Sequence, residues 1–248
     1  MEWVEAFYSK QYEWGHFFDA GIGEHHHEKA RLIEQLAGDG IKHILELGAG
    51  GGENAATAAD LGHSVVAVEL VSTAAENARR LGKAVQNGSV TVVEGDFYQI
   101  ELPEKFDVVC YWDGFGIGND QDQRRLLARI ANWLKPGGCA LIDCSTPWYA
   151  ASVIGRQWGV GDAIRRYDFD ADQCRWLDRW WLADDETQAV TQSLRCYSPA
   201  DLRLLLKGTG LLLEQVEVGG TVDWEKGVYL KKVPLEKAMY FTAKLVLA

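Results

Sequence analysis

Hydrophobic and polar positions change their period along this chain, and the changes mark out its elements. Aromatics Trp3, Phe7, Tyr8, Tyr12 and Trp14 lie in a helical stretch at the start. Ala30, Leu32, Ile33 and Leu36 recur at helical spacing and predict a second helix over 24–37. An apolar run over His43–Leu47 then predicts a buried strand. A helix over 53–61 follows, closed by Gly62, and a strand over 64–70 comes next. The spacing predicts a helix over 72–81 with Ser72 as its N-cap, and strands over 90–93 and 106–112. An amphipathic helix over 121–134 ends at Lys135-Pro136-Gly137-Gly138 and leads into a strand over 139–144. Strand and helix thus alternate repeatedly, which predicts an α/β fold: a doubly wound, largely parallel sheet with helices on both faces. Ligands of such sheets bind beyond the carboxyl ends of the strands. Residues 48–52, Glu69, Asp96, Trp112, Asp113 and 145–147 should therefore converge on one cleft.

The pattern breaks after the fifth strand. Residues 148–197 hold Trp148, Trp158, Trp176, Trp180 and Trp181 among many charges. Residues 165–170 read as an edge strand, and 175–182 and 189–196 as an antiparallel pair. The stretch is expected to be an insertion that covers the cleft. Ser198 and Pro199 then open a helix to about Lys207, capped by the serine with proline in its first turn. Leu211–Val218 and Tyr240–Leu247 read as the last strands. A chain of 248 residues is enough for one α/β domain, so 1–248 is taken as a single unit with an N-terminal helical lid over 1–37.

Charge narrows the partners. The formal net charge is −11, which argues against a nucleic-acid-backbone binder. No run of apolar residues is long enough to span a membrane, and no signal peptide is seen, so a cytoplasmic protein, monomer or homodimer, is expected. The five cysteines include no CxxC pair and read as reduced thiols. His25-His26-His27 reads as a surface cluster, because three consecutive residues on a helix point about 100° apart; no metal site is expected.

The glycine turn carries the chemistry. Glu46 precedes Gly48, Ala49, Gly50 and Gly52, and Glu53 follows. A dinucleotide turn of the G-x-G-x-x-G type wants glycine where Glu53 stands, and a carboxylate there repels a pyrophosphate. E-x-G-x-G-x-G suits a ligand with no phosphate and a positive amino-acid end, which Glu46 can engage. Glu69 can accept ribose hydroxyls. Asp96 can take an adenine amine with Phe97 against the ring. Amino acid, ribose and adenine together describe S-adenosylmethionine (SAM).

On these residues the chain resembles the class I SAM-dependent methyltransferases of small-molecule type. The matched segments are 46–52, Glu69 closing its strand, Gly95-Asp96-Phe97, Phe106-Asp107-Val108-Val109, Leu134 to Gly138, and Arg195 to Leu202. The resemblance implies a Rossmann-like seven-stranded sheet whose last strand is inserted antiparallel. It also implies SAM across the strand ends, held by Glu46, Gly48, Ala49, Gly50, Gly52, Glu69, Leu70, Asp96, Phe97 and Trp112, with Tyr12 of the lid. His16 and Asp113 are the catalytic candidates; for Asp113 an Asx turn with Gly114 stands as the other reading. Trp14, His25, Trp148 and Arg195 are the candidates for substrate contact. The expected reaction is methyl transfer to N, O or C of a small-molecule acceptor, in metabolite biosynthesis. The alternative is another SAM chemistry on the same fold, such as cyclisation.

Overall fold

The computed structural model describes residues 2–19 and 21–248; Met1 and Ala20, within the expected lid, lie outside the described residues. The chain opens with helices α1 (Glu2–Gly15) and α2 (Glu24–Ala37). It continues through β1 (His43–Leu47), α3 (Glu53–Asp60), β2 (Ser64–Glu69), α4 (Ser72–Gly82), β3 (Ser89–Glu94), β4 (Phe106–Phe115), α5 (Asp120–Trp133) and β5 (Leu134–Ser145). Next come α6 (Pro147–Ser152) and strands β6 (Gln157–Val160), β7 (Ala163–Asp170), β8 (Arg175–Leu182) and β9 (Asp185–Arg195). The chain closes with α7 (Pro199–Leu205), β10 (Leu211–Val218), the short hairpin β11 (Thr221–Asp223) and β12 (Val228–Leu230), and β13 (Tyr240–Leu247).

The main sheet has seven strands in the order β10-β13-β5-β4-β1-β2-β3. The pairs among β1 to β5 are parallel, while β13 lies antiparallel between β5 and β10. The expected inserted last strand is therefore present. Because β1 and β4 are neighbours that leave in opposite directions along the sheet order, the crevice at their carboxyl ends is the ligand position of such a sheet. Apolar clusters fill both faces. One packs Leu126, Leu127, Ile130 and Trp133 of α5 on the sheet; the other packs Ala30, Ile33 and Leu36 of α2 with the alanines of α3.

Local chemistry explains most boundaries. The Ser198 hydroxyl accepts the Asp201 N–H at 3.1 Å and the Asp201 carboxylate reaches back to the Ser198 N–H, so α7 begins where its Ser-Pro pair predicts. Asp107 accepts the His43 N–H at 2.8 Å and pairs with Lys135, tying the starts of β1, β4 and β5 together. Three expectations are corrected. Val71, not Ser72, is the N-cap of α4; the Ser72 hydroxyl instead donates to Glu94 at 2.5 Å. Residues 165–170, read as an edge strand, belong to an inner one: β7 lies between β6, which pairs with 163–166, and β8 in the antiparallel sheet β6-β7-β8-β9. Pro136 and the glycines fall within β5, where a shift of register between Phe106 and Val108 on β4 absorbs them. None of the described helices is long and apolar enough to cross a membrane.

Candidate active site

Strand β1 runs into the glycine turn, whose Gly48, Gly50 and Gly52 have φ of 60°, 56° and 87°. Side chains other than glycine rarely adopt that backbone. Space is tight as well as twisted. A Cβ on Gly50 would sit 3.0 Å from the Tyr12 hydroxyl, and one on Gly52 would sit 2.5 Å from the Ala78 Cβ. The turn is held from the end of β2. Glu69 accepts the Gly50 N–H at 2.7 Å on one carboxylate oxygen and the Val71 N–H at 2.8 Å on the other. Asn77 of α4 donates to the Gly51 carbonyl at 2.8 Å and fixes the far side.

A cavity of about 430 Å³ opens against this turn. That volume suits a ligand of drug-like size. Glu46, Gly48, Ala49, Gly50, Gly51, Glu53, Glu69, Leu70, Phe97, Tyr98, Trp112 and Tyr12 are on its walls. The charge there is lopsided. Glu46 is 3% exposed. Burial, with Glu53 and Glu69 close by, pushes its carboxyl up to about 8. Burial also raises Glu53 and Glu69; the Val71 and Gly50 N–H groups pull Glu69 back in part. No described residue gives Glu46 a hydrogen bond or an ion pair. A cationic ligand group supplies what this wall lacks.

A second, larger cavity of about 840 Å³ adjoins the first. The two share Tyr8, Gln11, Asn54, Trp112, Asp113 and Arg165. Asp113 lies near the end of β4, two residues before its last, with φ 51°, a conformation Asp tolerates better than most residues. It is open to solvent through the cavities but ringed by protein. Burial lifts its carboxyl to about 6, against the opposing pull of the Arg165 guanidinium. Arg165 on β7 holds Asp178 of β8 through both carboxylate oxygens and lies over the Tyr167 ring at 4.7 Å. Across the cavity Lys29 of α2 pairs with Asp143 of β5. The Lys29 ammonium lies over the Trp112 and Tyr240 rings at 4.5 and 4.8 Å, and Thr242 donates to the other Asp143 oxygen at 2.5 Å.

The residues expected from sequence divide into two groups. Glu46, Gly48, Ala49, Gly50, Glu69, Leu70, Phe97, Trp112 and Tyr12 meet at the first cavity, and Asp113 stands where it joins the second. His25 is on the second cavity's wall. Others lie elsewhere. Gly52 sits behind the turn, packed on α4. The Asp96 carboxylate accepts the Tyr98 N–H at 2.8 Å and the Gln99 amide at 2.8 Å, closing its own loop, while Phe97 and Tyr98 take the wall. His16 is exposed and bonds Asp162 at 2.8 Å, off both walls. Trp14 is buried with Phe7 and Trp180. Trp148 donates to the Ala238 carbonyl at 3.2 Å in a satellite core. Arg195 pairs with Asp120 at 3.4 Å and covers the Tyr197 ring. His26 accepts the Gly23 N–H at 2.9 Å and caps α2; burial, with His25 beside it, takes its imidazole down to about 4.

Lys29, Asp143, Arg165, Asp178, Tyr8 and Gln11 were missed. A lone lysine on a helix reads as a solvated face, and Arg165 sits in a charged strand with several equal neighbours. The one available signal was the density of Trp and Arg over 158–181, which marks a cation–π cluster.

Comparison with known proteins bears on the same elements. Residues 44–138 match the family model described as a methyltransferase domain. The chain is similar to a cypemycin N-terminal methyltransferase of a Streptomyces species, 36% identical over 106 residues, 42% of each chain. That match spans less than half of the relative's own length. Among solved structures, the CcbJ methyltransferase from Streptomyces caelestis superposes with a TM-score of 0.73 at 24% identity, covering 93% of this chain and 92% of that one. The glycopeptide N-methyltransferase MtfA complexed with S-adenosyl-L-methionine gives a TM-score of 0.60 at 20% identity, covering 90% and 87%. These two likenesses concern the fold.

Proposed function

We infer that this chain, a member of the class I SAM-dependent methyltransferases with its methyltransferase domain at residues 44–138, transfers the methyl group of SAM to a small-molecule acceptor. The observation that carries this reading is the carboxylate wall of the glycine-turn cavity. Glu46 is buried, raised to about 8 and without a partner among the described residues, and Glu53 and Glu69 stand near it. A dinucleotide brings phosphates to such a turn; SAM brings an ammonium and a sulfonium.

The residues fit that ligand. Gly50, crowded by Tyr12, leaves room for a backbone approach that a Cβ would fill. Glu46 is the partner for the ammonium. Glu69 spends one lone pair of each oxygen on the Gly50 and Val71 N–H groups and keeps acceptor capacity for ribose hydroxyls. Leu70, Phe97 and Tyr98 offer the apolar wall for the adenine. SAM supplies an activated methyl group, so the chain's own task is placement and exclusion of water. Tyr8, Tyr12 and Gln11 of α1 cover the cavities from one side, and Arg165 of the four-stranded sheet from another. We assign 1–37 and 148–197 as the covering segments on these contacts. Trp112 and Asp113 at the junction bring acceptor and methyl donor together, and the 840 Å³ of the second cavity suits a free metabolite, as biosynthetic enzymes take.

The test is mass spectrometry of SAM incubated with the protein and pooled metabolites. Methyl transfer yields S-adenosylhomocysteine that accumulates only with acceptor. Methylthioadenosine formed without acceptor contradicts the reading and points to chemistry on the aminobutyryl group instead.

A further inference from the structure

The charges of the larger cavity do not balance, and the imbalance identifies the acceptor's chemistry. Its cations are already matched. Lys29 is held by Asp143 and Arg165 by Asp178, both close to the junction. Toward the mouth Arg31 pairs with Glu24 at 2.6 Å, and Lys231 pairs with Glu28. Two carboxylates on the wall, Asp113 and Glu217, have no ion-pair partner among the described residues. The unmatched charge of this cavity is therefore negative. Lys29 already lies over the Trp112 and Tyr240 rings, and Arg165 over the Tyr167 ring.

Of the two unmatched carboxylates, Glu217 lies on β10, away from the methyl donor's cavity, whereas Asp113 is on the walls of both. We propose that the methyl acceptor is an amine, drawn in as its ammonium against Asp113, and that Asp113 receives the proton the nitrogen must lose. This rests on the methyl-transfer reading above and specifies its acceptor. The neutral amine's lone pair forms the new N–C bond. The methyl's C–S bond breaks with its electron pair left on sulfur, and the proton on Asp113 passes to water. No oxidant or other reactant is required.

The groups facing Asp113 suit that task. Arg165 from β7 and Lys29 from α2 favour its charged form; Asp143 from β5 and Asp178 from β8 disfavour it. Tyr8 of α1 also lies within its field. A carboxyl raised to about 6 by the protein that rings it is a better proton acceptor near neutral pH than an ordinary one.

The experiment pairs each amine probe with its alcohol: tryptamine with tryptophol, phenethylamine with phenethyl alcohol. Each is titrated calorimetrically into the full chain saturated with S-adenosylhomocysteine, for the wild type and Asp113→Asn. Asparagine tolerates the left-handed backbone of position 113, so the variant keeps its fold, which its thermal melt checks. The expected result is at least tenfold tighter binding of amines than alcohols, reduced to less than threefold in Asp113→Asn. Amines and alcohols within threefold of each other in the wild type, binding of neither included, overturn the proposal, as does a preference that survives in the variant. Should the variant fail to fold, the wild-type comparison still decides. Failure of S-adenosylhomocysteine itself to bind instead overturns the methyl-transfer reading.

Discussion

Replacing Glu46 with glutamine should stabilise the ligand-free protein at alkaline pH while weakening its cofactor. The carboxyl sits almost wholly buried at 3% exposure, with Glu53 and Glu69 close enough to repel it. Its folded value of about 8 lies above the ordinary 4.5, so the folded state binds the proton more tightly than the unfolded chain does. The contribution to stability is therefore fully present below about 4.5 and is lost as pH rises through about 8. At 1.36 kcal/mol for each tenfold change, the loss between pH 5.5 and 8.5 amounts to roughly 3 kcal/mol. Glu46→Gln carries no proton to lose. Urea denaturation of wild type and variant at both pH values gives the comparison, and the difference of differences cancels the titrating groups that do not couple to Glu46. The variant should gain about 3 kcal/mol on the wild type between the two conditions. Equal pH dependence of the two proteins, within about 0.5 kcal/mol, would refute the argument, because it would mean that the Glu46 carboxyl is not strained by its surroundings. A cationic ligand that ionises Glu46 releases a proton near neutral pH, measurable by calorimetry in buffers of different ionisation enthalpy.

Three further outcomes follow from the packing. Glu69→Ala leaves the Gly50 and Val71 N–H groups without their acceptor, a loss of about 2–5 kcal/mol in chemical denaturation, and weakens S-adenosylhomocysteine about tenfold; a loss below about 1 kcal/mol contradicts its turn-holding role. Gly52→Ala meets Ala78 at 2.5 Å with φ 87° and should cost about 3 kcal/mol or more, whereas Gly137→Ala, with open space and φ 80°, should cost only the backbone strain of about 1–2 kcal/mol; equal costs would mean that α3 and α4 are not in close contact. Lys29→Met leaves Asp143 buried with Thr242 alone and should cost about 3–5 kcal/mol, much of it recovered by adding Asp143→Asn; additive losses in the double variant contradict the pairing.

The sheet was legible in the sequence because its information is local. Alternation of apolar strands with amphipathic helices fixes the class, and glycines with positive φ mark the turn beside the smaller cavity. Ser198 and Pro199 mark a helix start within one turn of chain. The candidate site was legible mostly where it is made of strand ends, Glu46, Glu69, Phe97, Trp112 and Asp113, with Tyr12 and His25 added from the two N-terminal helices. What was not legible depends on elements far apart in the chain. Lys29 and Asp143 are 114 residues apart and meet only because α2 crosses β5. His16 and Arg195 have the chemistry for a site, yet partners distant in the chain, Asp162 and Asp120, hold them elsewhere. Asp96 shows the same limit at shorter range: its own loop offers two donors, and its carboxylate takes them. The inner place of β7 depends on β6, a strand of four residues too short to show a period.

The most direct test of the central claim is a calorimetric titration of the wild-type chain with SAM, run in parallel with NAD. The carboxylate-walled glycine turn predicts one SAM site with a Kd of roughly 1–100 µM and no measurable NAD binding. Binding of NAD without SAM would contradict it.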